Sequence, residues 1–130
     1  MVGLEDFLLA AEAVLHIDAH RLERATKISL AESALAAPFA SFGGQDFYEH
    51  PLQRAAVLAS RIMRNHPLPD GNKRVALILM DLYLEQEGFR LEAAAADIDR
   101  TLRAVAASEM TGDDFVIWLQ ARTARIEASP

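Results

Sequence analysis

Nine consecutive residues, His66-Pro67-Leu68-Pro69-Asp70-Gly71-Asn72-Lys73-Arg74, bring together an imidazole, a carboxylate, an amide and two cations. Two prolines and an Asp-Gly pair break a helix and force a tight loop. A helix that starts at Gly71 and Asn72 offers unpaired backbone N–H groups and the positive end of its dipole, which together receive anions. Gly71 lets a ligand approach the backbone closely, and Asn72 can bond the loop or a phosphate. Lys73 and Arg74 add two cations at a helix end that disfavours them, unless an anion joins them. The chain has only two lysines, Lys27 and Lys73, which makes this placement informative. Asp70 precedes the nest, and a carboxylate beside phosphates suits Mg²⁺. A neutral imidazole at His66 could take a proton from a hydroxyl nucleophile. A base, a metal ligand and a phosphate cradle are the parts that phosphoryl or nucleotidyl transfer needs. Singly, each residue has a plainer reading as a cap, a turn residue or a surface cation. Their order within one segment favours the chemistry. His16 and His20 also stand four apart, a spacing that can bind metal, but no acidic motif accompanies them and surface histidines are the favoured reading.

The elements that must position this loop read as helices, because helical spacing is common and strand-like alternation is nearly absent. Leu4, Phe7, Leu8, Ala11 and Leu15 share one face of a predicted helix over 4–23. A short helix follows over 29–37, with Ser29 as N-cap and Pro38 ending it. The segment 38–46 carries Gly43-Gly44 and reads as a loop or small hairpin. A helix over 51–65 starts at Pro51, a residue suited to the first helical position. The helix over 71–87 is apolar nearly all round from Val75 to Leu84, which predicts a place at the centre of a bundle, and Gly88 is its natural C′ residue. A helix over 93–109 turns Ile98, Leu102 and Val105 inward, and a last one starts at Thr111, ahead of Asp113 and Asp114.

Composition limits the function classes. The chain has 130 residues, with net charge −6 and no cysteine. Thiol nucleophiles, redox dithiols and cysteine-ligated metal centres are excluded. The acidic balance argues against a protein that coats nucleic acid, since that relies on phosphate neutralisation. No apolar run approaches the roughly 20 residues that span a bilayer. Glu5 and Asp6 stand where a signal peptide would be basic. The expectation is a cytoplasmic single domain over 1–130, without direct nucleic-acid or membrane partners.

The nine-residue segment resembles the signature of the Fic/Doc family, H-x-F-x-[D/E/N]-[G/A]-N-[G/K]-R, and the resemblance extends over about 4–120. It implies an all-α, Fic-type helical bundle with a central motif-bearing helix pair and a small flap. Lys73 stands where the Fic branch has glycine, and Leu77 where that branch often has a second arginine, so the chain looks like the Doc (death-on-curing) branch. That resemblance implies a toxin of a toxin–antitoxin module. Such a toxin moves the γ-phosphate of ATP or another nucleoside triphosphate, with Mg²⁺, to a threonine of elongation factor Tu, and a Phd-like antitoxin restrains it. By the same resemblance His66 is the base, Asp70 holds Mg²⁺, Gly71, Asn72, Lys73 and Arg74 bind phosphates, and Ser41, Phe42, Gly43 and Gly44 form the flap that docks the target. A lysine fills space that glycine leaves open, a physical reason for moving a terminal phosphate instead of AMP. AMP transfer to a protein hydroxyl, and an inactive nucleotide-binding module, are the alternatives. Leu68 replaces the usual Phe and keeps its apolar role, and Val75 replaces a common Thr. Thr123 and Glu127 have the spacing of the family's inhibitory helix, but Ala128 does not fit it, and a separate antitoxin is the expected restraint.

Overall fold

The computed structural model describes residues 2–127. It contains helices α1 (Leu4–Leu15), α2 (Ala19–Ala25), α3 (Ile28–Ala36), α4 (Pro51–Asn65), α5 (Asn72–Gln86), α6 (Ala95–Ala106) and α7 (Gly112–Arg122). A single 3₁₀ turn, Ala37–Phe39, follows α3. Four short strands, β1 (Ser41–Phe42), β2 (Gln45–Asp46), β3 (Phe89–Leu91) and β4 (Thr123–Arg125), form two antiparallel pairs. The fold is helical, with a small hairpin between the 3₁₀ turn and α4.

The pair α4 and α5 makes the most extensive contact in the molecule, and α1, α3 and α7 pack around it. α4 is strongly two-faced. Leu52, Ala55, Ala56, Leu58, Ala59, Ile62 and Met63 are buried, while Arg61 and Arg64 face solvent. Its start is fixed by Pro51, by His50 Nδ1 accepting the Leu52 N–H (3.1 Å), and by Gln53 Oε1 accepting the His50 N–H (3.1 Å). α5 buries Val75, Ala76, Leu79, Met80, Tyr83 and Leu84, but Ile78 is exposed. The central helix therefore keeps one edge at the surface, where the sequence pattern predicted full enclosure.

Three further boundaries differ from the sequence expectation. The helix predicted over 4–23 breaks at His16, which takes the left-handed conformation (φ 56°) and donates its N–H to the Glu12 carbonyl. Asp18 then starts α2 by accepting the Arg21 N–H (2.9 Å). A local cap outcompetes an apolar spacing that continues through Leu22. α3 starts from Lys27, one residue before the helix begins, and Ser29 is an exposed residue inside it rather than its N-cap. The largest difference is β3. After Gly88 the chain pairs Phe89, Arg90 and Leu91 with Arg125, Ala124 and Thr123, and the Ile126 N–H extends this by donating to the Gly88 carbonyl (2.8 Å). Thr123 to Arg125 is thus a strand and not a helix, which removes the likeness to an inhibitory helix there; Ala128 lies outside the described residues. The Thr111 cap of α7 holds as expected, with its hydroxyl accepting the Asp114 N–H (3.1 Å). Among the described residues no helix is long and apolar enough to cross a membrane.

Between α4 and α5 runs the loop of the nine-residue segment. Pro67 and Leu68 are buried beneath it, with Leu68 only 1% exposed. The Lys27 N–H donates to the Pro67 carbonyl (2.8 Å), and Asn65 Nδ2 donates to the Leu30 carbonyl (3.0 Å), so α3 tethers the loop from outside. Leu68 fills the place under the loop that the sequence assigns to an apolar plug. Truncating it leaves a cavity. Leu68→Ala should lower the free energy of unfolding by about 2–4 kcal/mol in urea titration, and a loss below about 0.5 kcal/mol would deny Leu68 that role.

Candidate active site

A cavity of about 380 Å³ opens where α4 ends, the loop turns, α5 begins and the end of α6 passes. It is lined by Met63, His66, Asp70, Gly71, Asn72, Lys73, Arg74 and Ala106. His66, Asp70, Gly71, Asn72, Lys73 and Arg74 of the motif therefore border one space. Both ends of the loop use the left-handed conformation: His66 closes α4 at φ 51°, and Gly71 opens α5 at φ 80°. Gly71 is needed there for two reasons. An L side chain resists that φ, and a Cβ would lie 2.9 Å from Val14 Cγ1 and 3.3 Å from Leu15 Cδ2. The sequence reading gave this glycine to ligand approach; the close neighbour is the end of α1.

Asn72 is buried, and its side chain is committed inside the protein. Its Oδ1 accepts the Leu68 N–H (3.0 Å), and its Nδ2 donates to the Leu68 carbonyl (2.9 Å). Those two bonds fix which end of the amide is oxygen. The second amide hydrogen then meets His66 Nδ1 at 3.0 Å. Nδ1 must be the acceptor, so a neutral His66 ring carries its hydrogen on Nε2. The Asn72 side chain, which the sequence left to bond the loop or a phosphate, is a clamp for the loop and for the imidazole. Its backbone N–H stays available. The first intrahelical bond of α5 runs from the Val75 N–H to the Gly71 carbonyl, which leaves the N–H groups of Asn72, Lys73 and Arg74 without a helical acceptor.

Asp70 is exposed and accepts the Gly71 N–H through Oδ1 (2.8 Å), leaving Oδ2 free. One free carboxylate oxygen beside open N–H donors fits Mg²⁺, which takes one or two carboxylates and completes its shell with phosphate oxygens and water. No cluster of three or more His, Cys, Asp or Glu side chains suited to a metal occurs among the described residues, the His16 and His20 region included. Lys73 is not free. Its ammonium pairs with Asp99 Oδ1 on α6, and Asp99 Oδ2 accepts Arg103 Nε (2.8 Å). The bonds from Lys73, and then from Arg103, hold the Asp99 carboxyl below the usual carboxylate range. Arg74 is exposed and makes no ion pair among the described residues.

A sequence model of the Fic/DOC family matches residues 5–84, which include both central helices apart from the last two residues of α5, and the whole loop between them. The chain belongs to the Fic/Doc family. It is similar to a protein named Toxin Doc from Mycolicibacterium smegmatis, at 41% identity over 71 residues. That match covers 55% of this chain and 54% of the relative, so the chain spans about half the length of the curated relative it matches. No solved structure matches the chain.

The Fic/Doc resemblance assigned the flap to Ser41, Phe42, Gly43 and Gly44. They form the β1–β2 hairpin, with Ser41 opposite Asp46 and Phe42 opposite Gln45, and all four are exposed. None of them lines the cavity. Arg54 of α4 ties the hairpin base down. Its Nε donates to the Tyr48 carbonyl (2.9 Å), its Nη2 pairs with Asp46 (3.2 Å), and its guanidinium stacks 5.5 Å above Phe39. The sequence reading missed the roles of both Arg54 and Asp99. Asp99 reaches Lys73, 26 residues away, and the bonds of Arg54 to Asp46 and Tyr48 depend on how the hairpin folds back on α4, so no motif marks either residue. The Asn72 clamp yields a direct expectation for the site: nitrogen NMR of the free chain should show the hydrogen of neutral His66 on Nε2. Finding it on Nδ1 would contradict the clamp.

Proposed function

We propose that this chain is a Doc-like toxin of a toxin–antitoxin module and acts in the cytoplasm. It transfers the γ-phosphate of a nucleoside triphosphate such as ATP to a hydroxyl of a translation factor of the elongation factor Tu kind. A Phd-like antitoxin supplies its restraint. The observation that carries this reading is the convergence of His66, Asp70, the open N–H groups of α5 and Arg74 on one cavity. The family membership and the likeness to a protein named Toxin Doc support it.

Positioning and charge neutralisation do most of the work in phosphoryl transfer. The open N–H groups and the helix dipole receive the phosphates, and Arg74 adds a cation at the same edge. Asp70 would hold Mg²⁺, which neutralises phosphate charge when bound. The target hydroxyl oxygen bonds to the γ-phosphorus as the bridging P–O bond to the nucleoside diphosphate breaks. The hydroxyl proton goes to His66 Nε2. That nitrogen accepts a proton only when the ring hydrogen sits on Nδ1, which Asn72 opposes in the free chain. The Asn72–His66 contact therefore opens before transfer, and the exposed ring has room to do so.

One observation favours AMP transfer as a second reading. Lys73 lines the cavity, but its ammonium is paired with Asp99 on α6, so it is not free to occupy the space that argued for terminal-phosphate transfer. Intact mass of elongation factor Tu, after incubation with this protein, Mg²⁺ and ATP, separates the two. A gain of one phosphate is expected, and a gain of AMP would move the chain to the second reading. His66→Ala should keep the fold and lower transfer at least about 100-fold, the usual worth of a general base. A variant that modifies the factor at the parental rate would remove His66 from the role.

A further inference from the structure

Lys73 lies in the first turn of α5, where the helix dipole repels a cation. Asp99 answers that repulsion from another helix. It stands seven residues before Ala106, on the same face of α6 that carries Ala106 to the cavity wall. α6 is tied to α7 by Asp97, which accepts a hydrogen bond from Arg122 Nε (2.6 Å). Asp99 is therefore a fixed anion beside the cavity, and both of its oxygens are taken, one by Lys73 and one by Arg103. A phosphate entering the cavity meets a cation that is already paired and a carboxylate that repels it.

We propose that Asp99 is a positioning residue that sets the anion affinity of the cavity: it holds Lys73 in an ion pair that an entering phosphate must displace. This rests on the phosphate-binding reading of the cavity. In the free chain Arg74 and the open N–H groups attract the anion first, and Lys73 joins only after it leaves Asp99. The side chains are 32% and 46% exposed, so the pair is a partly screened one and its effect is modest.

The test is titration calorimetry at low salt with inorganic tripolyphosphate as the probe. Asp99→Asn should bind about two- to fivefold more tightly than the parent. Asp99→Glu, which keeps the carboxylate, should stay within about twofold. In a Lys73→Met background, Asp99→Asn should gain much less, since no ammonium remains to release. That cycle separates action through Lys73 from a general change in charge, which would persist without it. An unchanged or weaker affinity in Asp99→Asn overturns this proposal alone. Absence of binding in every form overturns the phosphate-binding reading, and this proposal with it.

Discussion

The side chain of Asn72 closes the loop between α4 and α5 by bonding both polar groups of Leu68 and the ring of His66. The shape of the loop and the orientation of His66 depend on this clamp. It lets the chain leave α4 and enter α5 through two left-handed residues without leaving buried polar groups unpaired. Each such unpaired group would cost about 1–3 kcal/mol. The clamp also presses Leu68 into the core and fixes which nitrogen of His66 faces the cavity. An asparagine does this because its amide carries an acceptor and two donors; an aspartate would carry acceptors only.

His66 shows a donor to the cavity, and Lys73 is engaged by Asp99. What remains open are the N–H groups of the first turn of α5, Arg74, and one oxygen of Asp70. In a chain of net charge −6, this patch is locally suited to anions. The hairpin at 41–46 stands apart from the cavity and is tied to α4 by Arg54. The site is thus built from two pieces with separate anchors, one held by Asn72 and one by Arg54.

The motif was legible because its chemistry is local. Prolines, a glycine with positive φ and cations at a helix start are all read from adjacent residues, and Gly71, Lys73 and Arg74 line one cavity with His66, Asp70 and Asn72. The helical cores of α4 and α5 were legible from their apolar spacing. Three kinds of feature were not. The break at His16 follows from a cap at Asp18 that the apolar repeat conceals. The β3–β4 pair is three residues long on each side, too short for a period to register, and its partners are over thirty residues apart. Asp99 acts on Lys73, 26 residues away, and the contacts of Arg54 with Asp46 and Tyr48 exist only once the hairpin folds back on α4, so no sequence pattern marks either role. Asn72 was left between bonding the loop and bonding a phosphate, because a buried amide and a ligand-facing amide look alike in sequence; its side chain bonds the loop.

The most direct measurement is amide hydrogen exchange at Leu68 in the parent and in Asn72→Ala. The Leu68 N–H donates to Asn72 Oδ1 and lies buried beneath the loop. If the clamp organises the site, the parent protects this amide, and the variant loses most of that protection while Leu79 and Met80 in the middle of α5 keep theirs. Equal protection of Leu68 in both proteins would show that the loop holds its shape without Asn72, and would contradict the account.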